Sequence, residues 1–315
     1  MPSTASAADG AGDRTLFAAA LGFIGMAMFA GTLPATRLAV VAFEPAFITA
    51  GRAVLAGVLA AAVLLATRNP MPPRSDWPSI AILSLCLLIG FPLFTGLAML
   101  YVPANHGAVV LAILPLATAC AAALVGGERP GPVFWLLSIV GGALVLAFSL
   151  SESGWILVAG DALLLAAAAS AALGYALSGR LSRRMPGWAV VSWALVFSLP
   201  FSIAATVLLA PPVLPNDLAA WAGFAYLGVF SIFLGFFFWN AAMGIGGIAK
   251  IGQLQLLQPF LTMMFATLVA EEALEARLFG DATVVVLIVA AAQRLKVRGP
   301  ATLARLTAGA PPSTP

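Results

Sequence analysis

The residues best equipped for chemistry in this chain are uncharged amides, and what they offer is binding, not bond breaking. Gln255, Gln258 and Thr262 fall at i, i+3 and i+7, on one face of a helix. All three lie in an apolar stretch. Hydrocarbon satisfies neither the donors nor the acceptors of an amide, so such groups turn toward protein or toward a water-filled cavity. They read either as helix-to-helix hydrogen bonds or as the polar wall of a site for a small polar molecule. Gln258 precedes Pro259, whose ring and missing N–H release a backbone carbonyl one turn back and favour a bend. Gln253 lies about 160° around the helix from Gln255.

Two other residues could carry charge into the same region. Arg52 lies about eight residues, or roughly 12 Å, inside an apolar helix. A charge there must be paired or hydrated; Glu44 at the start of that helix and backbone carbonyls freed at bends are the candidate partners. His106 is the only histidine. It follows Asn105 at a helix start, where it either caps or meets the membrane interface, or responds to a proton gradient. Asp281 follows Arg277 by four residues, a self-neutralising pair. Asp161 is expected to face headgroups or solvent at a helix end.

Aromatic and small polar residues form a second group. Phe236-Phe-Phe-Trp239-Asn240 closes one apolar run, and Pro92-Leu-Phe94-Thr95-Gly96 lies in another. Aromatic walls with a few polar points suit a substrate with an apolar body and a polar head. An aromatic belt at the interface is the alternative. The candidate substrate-binding residues are therefore Phe94, Thr95, Trp239, Asn240, Gln255 and Gln258. Pro92, Pro115 and Pro259 are candidate bends or gates, and Arg52 and His106 candidates for charge or proton coupling. There is no phosphate loop with Lys-Ser/Thr, no His-Glu-x-x-His and no Ser/His/Asp set. Cys86 and Cys120 sit in apolar runs without metal or disulfide spacing. Neither an enzyme, a cofactor nor a metal is expected.

These residues must be positioned by membrane helices. The 315 residues are 62% hydrophobic and 9% charged, against about 25% charged in soluble domains, too little to cover a surface in water. A span takes about 20 apolar residues. Ten candidates result, at about 16–34, 45–66, 78–98, 105–125, 132–150, 157–178, 188–209, 218–240, 248–270 and 276–293.

The chain also repeats. With a constant offset of 144, Pro115 meets Pro259, Thr118 meets Thr262, Val125 meets Val269, Glu128 meets Glu272, and His106 falls opposite Lys250. The same offset pairs Phe94 with Phe238, Thr95 with Trp239 and Gly96 with Asn240. The expected organisation is a disordered tail at 1–15, five-helix repeats at 16–150 and 151–293, and a cytoplasmic tail at 294–315.

Twelve of the 15 basic residues fall in one set of alternate loops or in the tails, against Arg37 and Arg277 in the other set. By the positive-inside rule both termini are cytoplasmic. Five is an odd number, so the second copy enters the membrane upside down. That is the inverted repeat of many secondary transporters, with the site near the midplane between the halves. The fold expected is thus all-α integral membrane, ten helices in a 5+5 inverted repeat.

Pro115, then Gly126-Gly-Glu-Arg129, then Gly141-Gly142 resembles the first repeat of the drug/metabolite transporter superfamily, EamA-like branch. Gln258-Pro259, Glu271-Glu272 and Gly280 resemble the second, with Ala270 replacing the small glycine before the acidic turn. The resemblance covers roughly residues 16 to 293. It implies a multi-pass protein of the bacterial inner membrane whose helices 3, 4, 8 and 9 surround a central cavity. The implied function is secondary transport, with export of an amino acid or related metabolite as the leading expectation. The partners are a small-molecule substrate and the bilayer, with no nucleic acid. The alternatives are an intramembrane enzyme, for which no nucleophile and base stand out, and a sensor or channel, which calls for a soluble output domain or a continuous polar ring.

Overall fold

The computed structural model describes residues 4–126, 131–152, 158–246 and 253–293, and every element among them is helical. Among the described residues seven helices are long and apolar enough to cross a membrane: α1 (Leu16–Ala39), α2 (Pro45–Ala66), α3 (Arg74–Ala98), α4 (Ala104–Val125), α6 (Ala159–Leu181), α7 (Gly187–Leu208) and α8 (Leu218–Met243). Between and after them lie α5 (Pro132–Glu152), α9 (Leu254–Val269) and α10 (Ala276–Gln293). The chain is therefore an all-α, multi-pass membrane protein.

Helix starts follow local chemistry. Pro45 and Pro132 each open a helix, at positions whose N–H would have no partner anyway. Asp217 caps α8 through a hydrogen bond from the Ala220 N–H, 3.0 Å long. Helix extends back from α1 to Thr4. This Ala-rich segment adds turns to a helix that already exists and avoids the cost of nucleation. The tail beyond 293, the Gly-Gly-Glu-Arg turn after Gly126, and Lys250 lie outside the described residues.

The helices pair in a regular way. α1 packs on α8 and α6 on α3, while α2 packs on α7 and α5 on α10. Every one of these pairs joins the first half of the chain to the second, and the core they enclose is continuous. Close approach rests on small residues, as membrane packing requires. Gly25 of α1 is so near α8 that an added Cβ would stand 2.9 Å from the Gly235 carbonyl oxygen and the Trp239 nitrogen. Gly174 of α6 meets Leu87 of α3 in the same manner, at 2.8 Å.

Local irregularities recur at the 144-residue offset. α3 carries a π-helical segment at Ser84–Gly90, and α8 carries one at Leu227–Leu234. The α-helical turn that follows starts at Phe91 in one and Gly235 in the other. α4 is interrupted after Leu111 and resumes at Leu114; α9 runs as a 3-10 helix from Gln253 to Leu257 and becomes α-helical at Gln258. The corresponding positions, 91 and 235 or 114 and 258, differ by 144 in each case.

Candidate functional site

A cavity lies between the halves, with about 860 Å³ of space counting the part that opens to solvent. Its walls come from more helices than the expected four. α3, α4, α8 and α9 contribute, and so do α1, α2, α6 and α10. Aromatic and aliphatic side chains form most of it, Phe29, Phe91 and Phe236 among them.

Gln255, Gln258 and Thr262 all line this cavity, although not on a continuous α-helix. Gln255 belongs to the 3-10 turn and Gln258 to the α-helix after it. Neither amide makes a side-chain hydrogen bond among the described residues, so both are available to a solute or to water. Pro115 and Pro259 line the cavity too. Each is the second residue of its α-helical segment, where a missing N–H costs nothing. Pro92 plays the same local part after the π-helical segment of α3 but is buried away from the cavity.

The other sequence candidates sit elsewhere. The Thr95 hydroxyl is turned onto its own helix, donating to the carbonyls of Phe91 and Pro92. Trp239 is buried in the core, edge-on to Phe29. Phe94 is half-buried and does not reach the cavity. Asn240 faces Gly187 in α7, and its Nδ2 is buried without a hydrogen-bond partner. The offset that pairs these residues in sequence is real, but their helical phase turns them into the helix-packing surfaces.

Arg52 does line the cavity. Its partner is not Glu44, which is exposed at the helix start, but Ser231, whose Oγ accepts from Nη2 at 3.2 Å. Ser231 also shares a hydrogen bond with Thr32 at 2.8 Å. The π-helical segment of α8 turns Ser231 toward both. Tyr175 of α6 lines the same corner of the cavity. Sequence reading missed Thr32, Ser231 and Tyr175, because one hydroxyl in an apolar helix ordinarily bonds its own backbone.

A second cluster closes one end of the bundle. His106 Nε2 lies 2.6 Å from Asp161 Oδ1, and Asp161 is wholly buried. The carboxylate therefore does not face headgroups or solvent as expected, and the histidine is buried against it. The two depend on each other, since neither could be stranded inside a membrane bundle cheaply. Phe148 packs over the imidazole. One turn away, the Glu272 carboxylate accepts from the backbone N–H groups of Ala104 and Asn105, at 2.7 and 2.8 Å. It thereby satisfies two orphan donors at the α4 N-terminus and meets the positive end of its dipole. Asn105 Nδ2 donates to the Ala273 carbonyl at 2.9 Å. The expected Arg277–Asp281 pair is present at 3.8 Å, and Arg277 also reaches Ser151. Nearby, the Arg37 guanidinium donates to the Met99 carbonyl. At the other end of the bundle Arg184 holds Asp76 at 2.7 Å.

Comparison with known proteins agrees with this architecture. The family model described as the EamA-like transporter family matches twice, over residues 16–150 and 158–292. The chain is 44% identical over 274 residues to the uncharacterized transporter YdeK of Bacillus subtilis, covering 87% of this chain and 96% of that protein. It is 27% identical over 253 residues to the uncharacterized transporter sll0355 of Synechocystis sp., covering 73% and 76%. A solved crystal structure 21% identical in sequence superposes with a TM-score of 0.62, over 89% of this chain and 98% of its own, a likeness of fold. Paired helices across two halves, a cavity between them, and these matches lead to one conclusion: this multi-pass protein of the bacterial inner-membrane type belongs to the EamA-like transporter family of the drug/metabolite transporter superfamily and is a membrane transporter, not an enzyme.

Proposed function

We propose that the chain is a secondary transporter that exports a small organic metabolite, an amino acid or a related compound, by alternating access through the cavity between its halves. The observation that carries this reading is the cavity itself. It holds two amides without protein partners among the described residues, Gln255 and Gln258, beside helix interruptions at Pro115 and Pro259. Interruptions at corresponding places in two repeats mark binding sites and moving parts in transporters.

The arrangement we propose is ten helices in a 5+5 inverted repeat, residues 16–150 and 151–293, with cytoplasmic termini. Two features support it. Glu272, just past the end of α9, touches the start of α4, which is how repeat-related helices meet when they run in opposite directions. Twelve basic residues lie in loops and tails on the side assigned to the cytoplasm. In this frame the Glu272 cap and the His106–Asp161 pair lie at the outer end and close it, and outward opening must separate them. Purified protein in sealed liposomes, loaded with a metabolite panel, tests the reading: at least one solute should exchange across the bilayer, and Gln258→Leu should slow it. Exchange by none, or exchange indifferent to Gln258, would refute it.

A further inference from the structure

Among the described residues the cavity contains one charge, and no acidic side chain answers it. Arg52 is 3% exposed, lines the cavity, and has a buried Nε without a hydrogen-bond partner. Its single hydrogen bond among the described residues goes to a neutral hydroxyl, that of Ser231. No carboxylate of the described residues lies in salt-bridge range, and none lines the cavity. A guanidinium buried in this way carries a large desolvation cost, which an anion in the cavity would offset. Its planar fork matches the two oxygens of a carboxylate, and it holds its charge throughout the physiological range.

We infer that Arg52 is the anchor for the carboxylate of the transported solute, and that this solute is a singly charged organic acid with an apolar body. The inference rests on the transporter reading and narrows its solute class, selecting acids related to amino acids that lack the ammonium group over the amino acids themselves. One positive charge in the low-dielectric centre of a bilayer balances one negative charge; a second charge on the solute would be left uncompensated. Nothing acidic lines the wall to receive an ammonium group. Phe29, Phe91 and Phe236 supply an apolar surface for the rest of the molecule, and Ser231 and Thr32 supply hydroxyls beside the carboxylate.

The test uses the full chain in lipid nanodiscs and measures ligand-dependent shifts in Tm. Matched trios of carboxylate, carboxamide and amine are compared on one body at a time: phenylacetate, 4-methylpentanoate and hexanoate with their amide and amine analogues. Phenylalanine and phenyl phosphate represent a zwitterion and a dianion. The carboxylate of at least one trio should stabilise the protein while its amide and amine do not, and the zwitterion and dianion should bind more weakly. Arg52→Gln should weaken the carboxylate at least tenfold, a loss of 1.4 kcal/mol, with the ligand-free Tm unchanged or raised because an unpaired buried charge is gone. A merely structural arginine would lower the ligand-free Tm and leave ligand preference unmoved. Should Arg52→Gln not fold, Ser231→Ala decides: its preference for carboxylate over amide should fall at least threefold. No carboxylate preference in any trio, equal binding of phenylalanine, or an unaltered preference in these variants would overturn the inference. Carboxylate binding without flux in liposomes would refute transport and leave the anchor standing. Flux of neutral or cationic solutes alone would do the reverse.

Discussion

The two halves share a backbone but not a cavity wall. At the 144-residue offset Leu87 of α3 stands where α8 has Ser231, Leu111 where α9 has Gln255, and Leu114 where α9 has Gln258, and all six line the cavity. The first half presents leucine at every one of these places and the second presents a hydrogen-bonding group. π-Helical segments, helix interruptions and wall prolines recur in both halves. The lesson at these three places is a division of labour: the bends are duplicated, whereas the hydrogen-bonding groups stand in the second copy alone, and the first contributes Arg52 and Thr32 from other helices. A symmetric wall would bind a solute in two opposite poses, whereas an amphipathic wall orients it.

The sharpest break in the symmetry is the His106–Asp161 pair, because the position matching Asp161 is Phe17, an exposed apolar residue. His106→Leu strands a buried carboxylate and should cost about 3–5 kcal/mol, read as a large drop in thermal stability in detergent. The double variant with Asp161→Leu should recover most of that loss. Persistence of the full loss in the double variant would show that the pair matters by shape and not by charge.

Making the walls alike is the next test. Gln255→Leu together with Gln258→Leu gives the second half the side chains of the first. Each amide that bonds the solute contributes about 0.5–1.5 kcal/mol, a factor of roughly 2 to 13, so the pair together should lower apparent affinity for the transported solute by roughly 4- to 160-fold with expression unchanged. The converse, Leu114→Gln, should loosen discrimination between solutes and leave affinity nearly intact. Competition assays in liposomes read both.

Helix contacts separate less widely. Gly25→Ala drives a methyl against the α8 backbone and should cost about 1–3 kcal/mol as overpacking. At Gly280 of α10 an added methyl meets nothing within 4 Å, so Gly280→Ala should be neutral or stabilising by up to about 1 kcal/mol. Differential scanning of the two variants side by side checks this. A small loss is expected from Glu272→Gln. It keeps an acceptor for the α4 N-terminus but removes the charge that meets the dipole, about 0.3–1 kcal/mol. Because this contact closes one end, the variant should alter exchange rate more than stability.

Much of the fold was legible because it depends on periods and counts. Helix length, loop charge and the 144-residue offset are properties of the string, and the helix boundaries at Phe91, Leu114 and Gln258 follow that offset. The cavity was half legible. Gln255 and Gln258 stood out because amides are costly in hydrocarbon, and Arg52 because charge is costlier. Phe94, Thr95, Trp239 and Asn240 were expected at the cavity and pack elsewhere, since the π-helical turns shift the phase on which such assignments rest. Ser231 was hidden for the same reason. The leucine-to-glutamine substitution between the halves was visible in sequence at positions 111 and 255 and at 114 and 258. It gains meaning only once both members of each pair are seen on one wall. Asp161 was misjudged because its partner lies 55 residues away on another helix.

The paired π-helical segments also constrain how the chain can change in length. A π-turn accommodates a residue that an α-helix of the same span would not hold. Deleting one residue from Ser84–Gly90 or from Leu227–Leu234 would restore regular bonding locally, yet it would turn everything beyond by about 100° against everything before. In α8 that rotation separates Ser231, inside the irregular segment, from Phe236 just beyond it, two residues that now face the same cavity. A single-codon gap is therefore tolerable to the helix as a helix and intolerable to the wall it builds. The same gap in the exposed turn between α7 and α8 would leave the wall untouched.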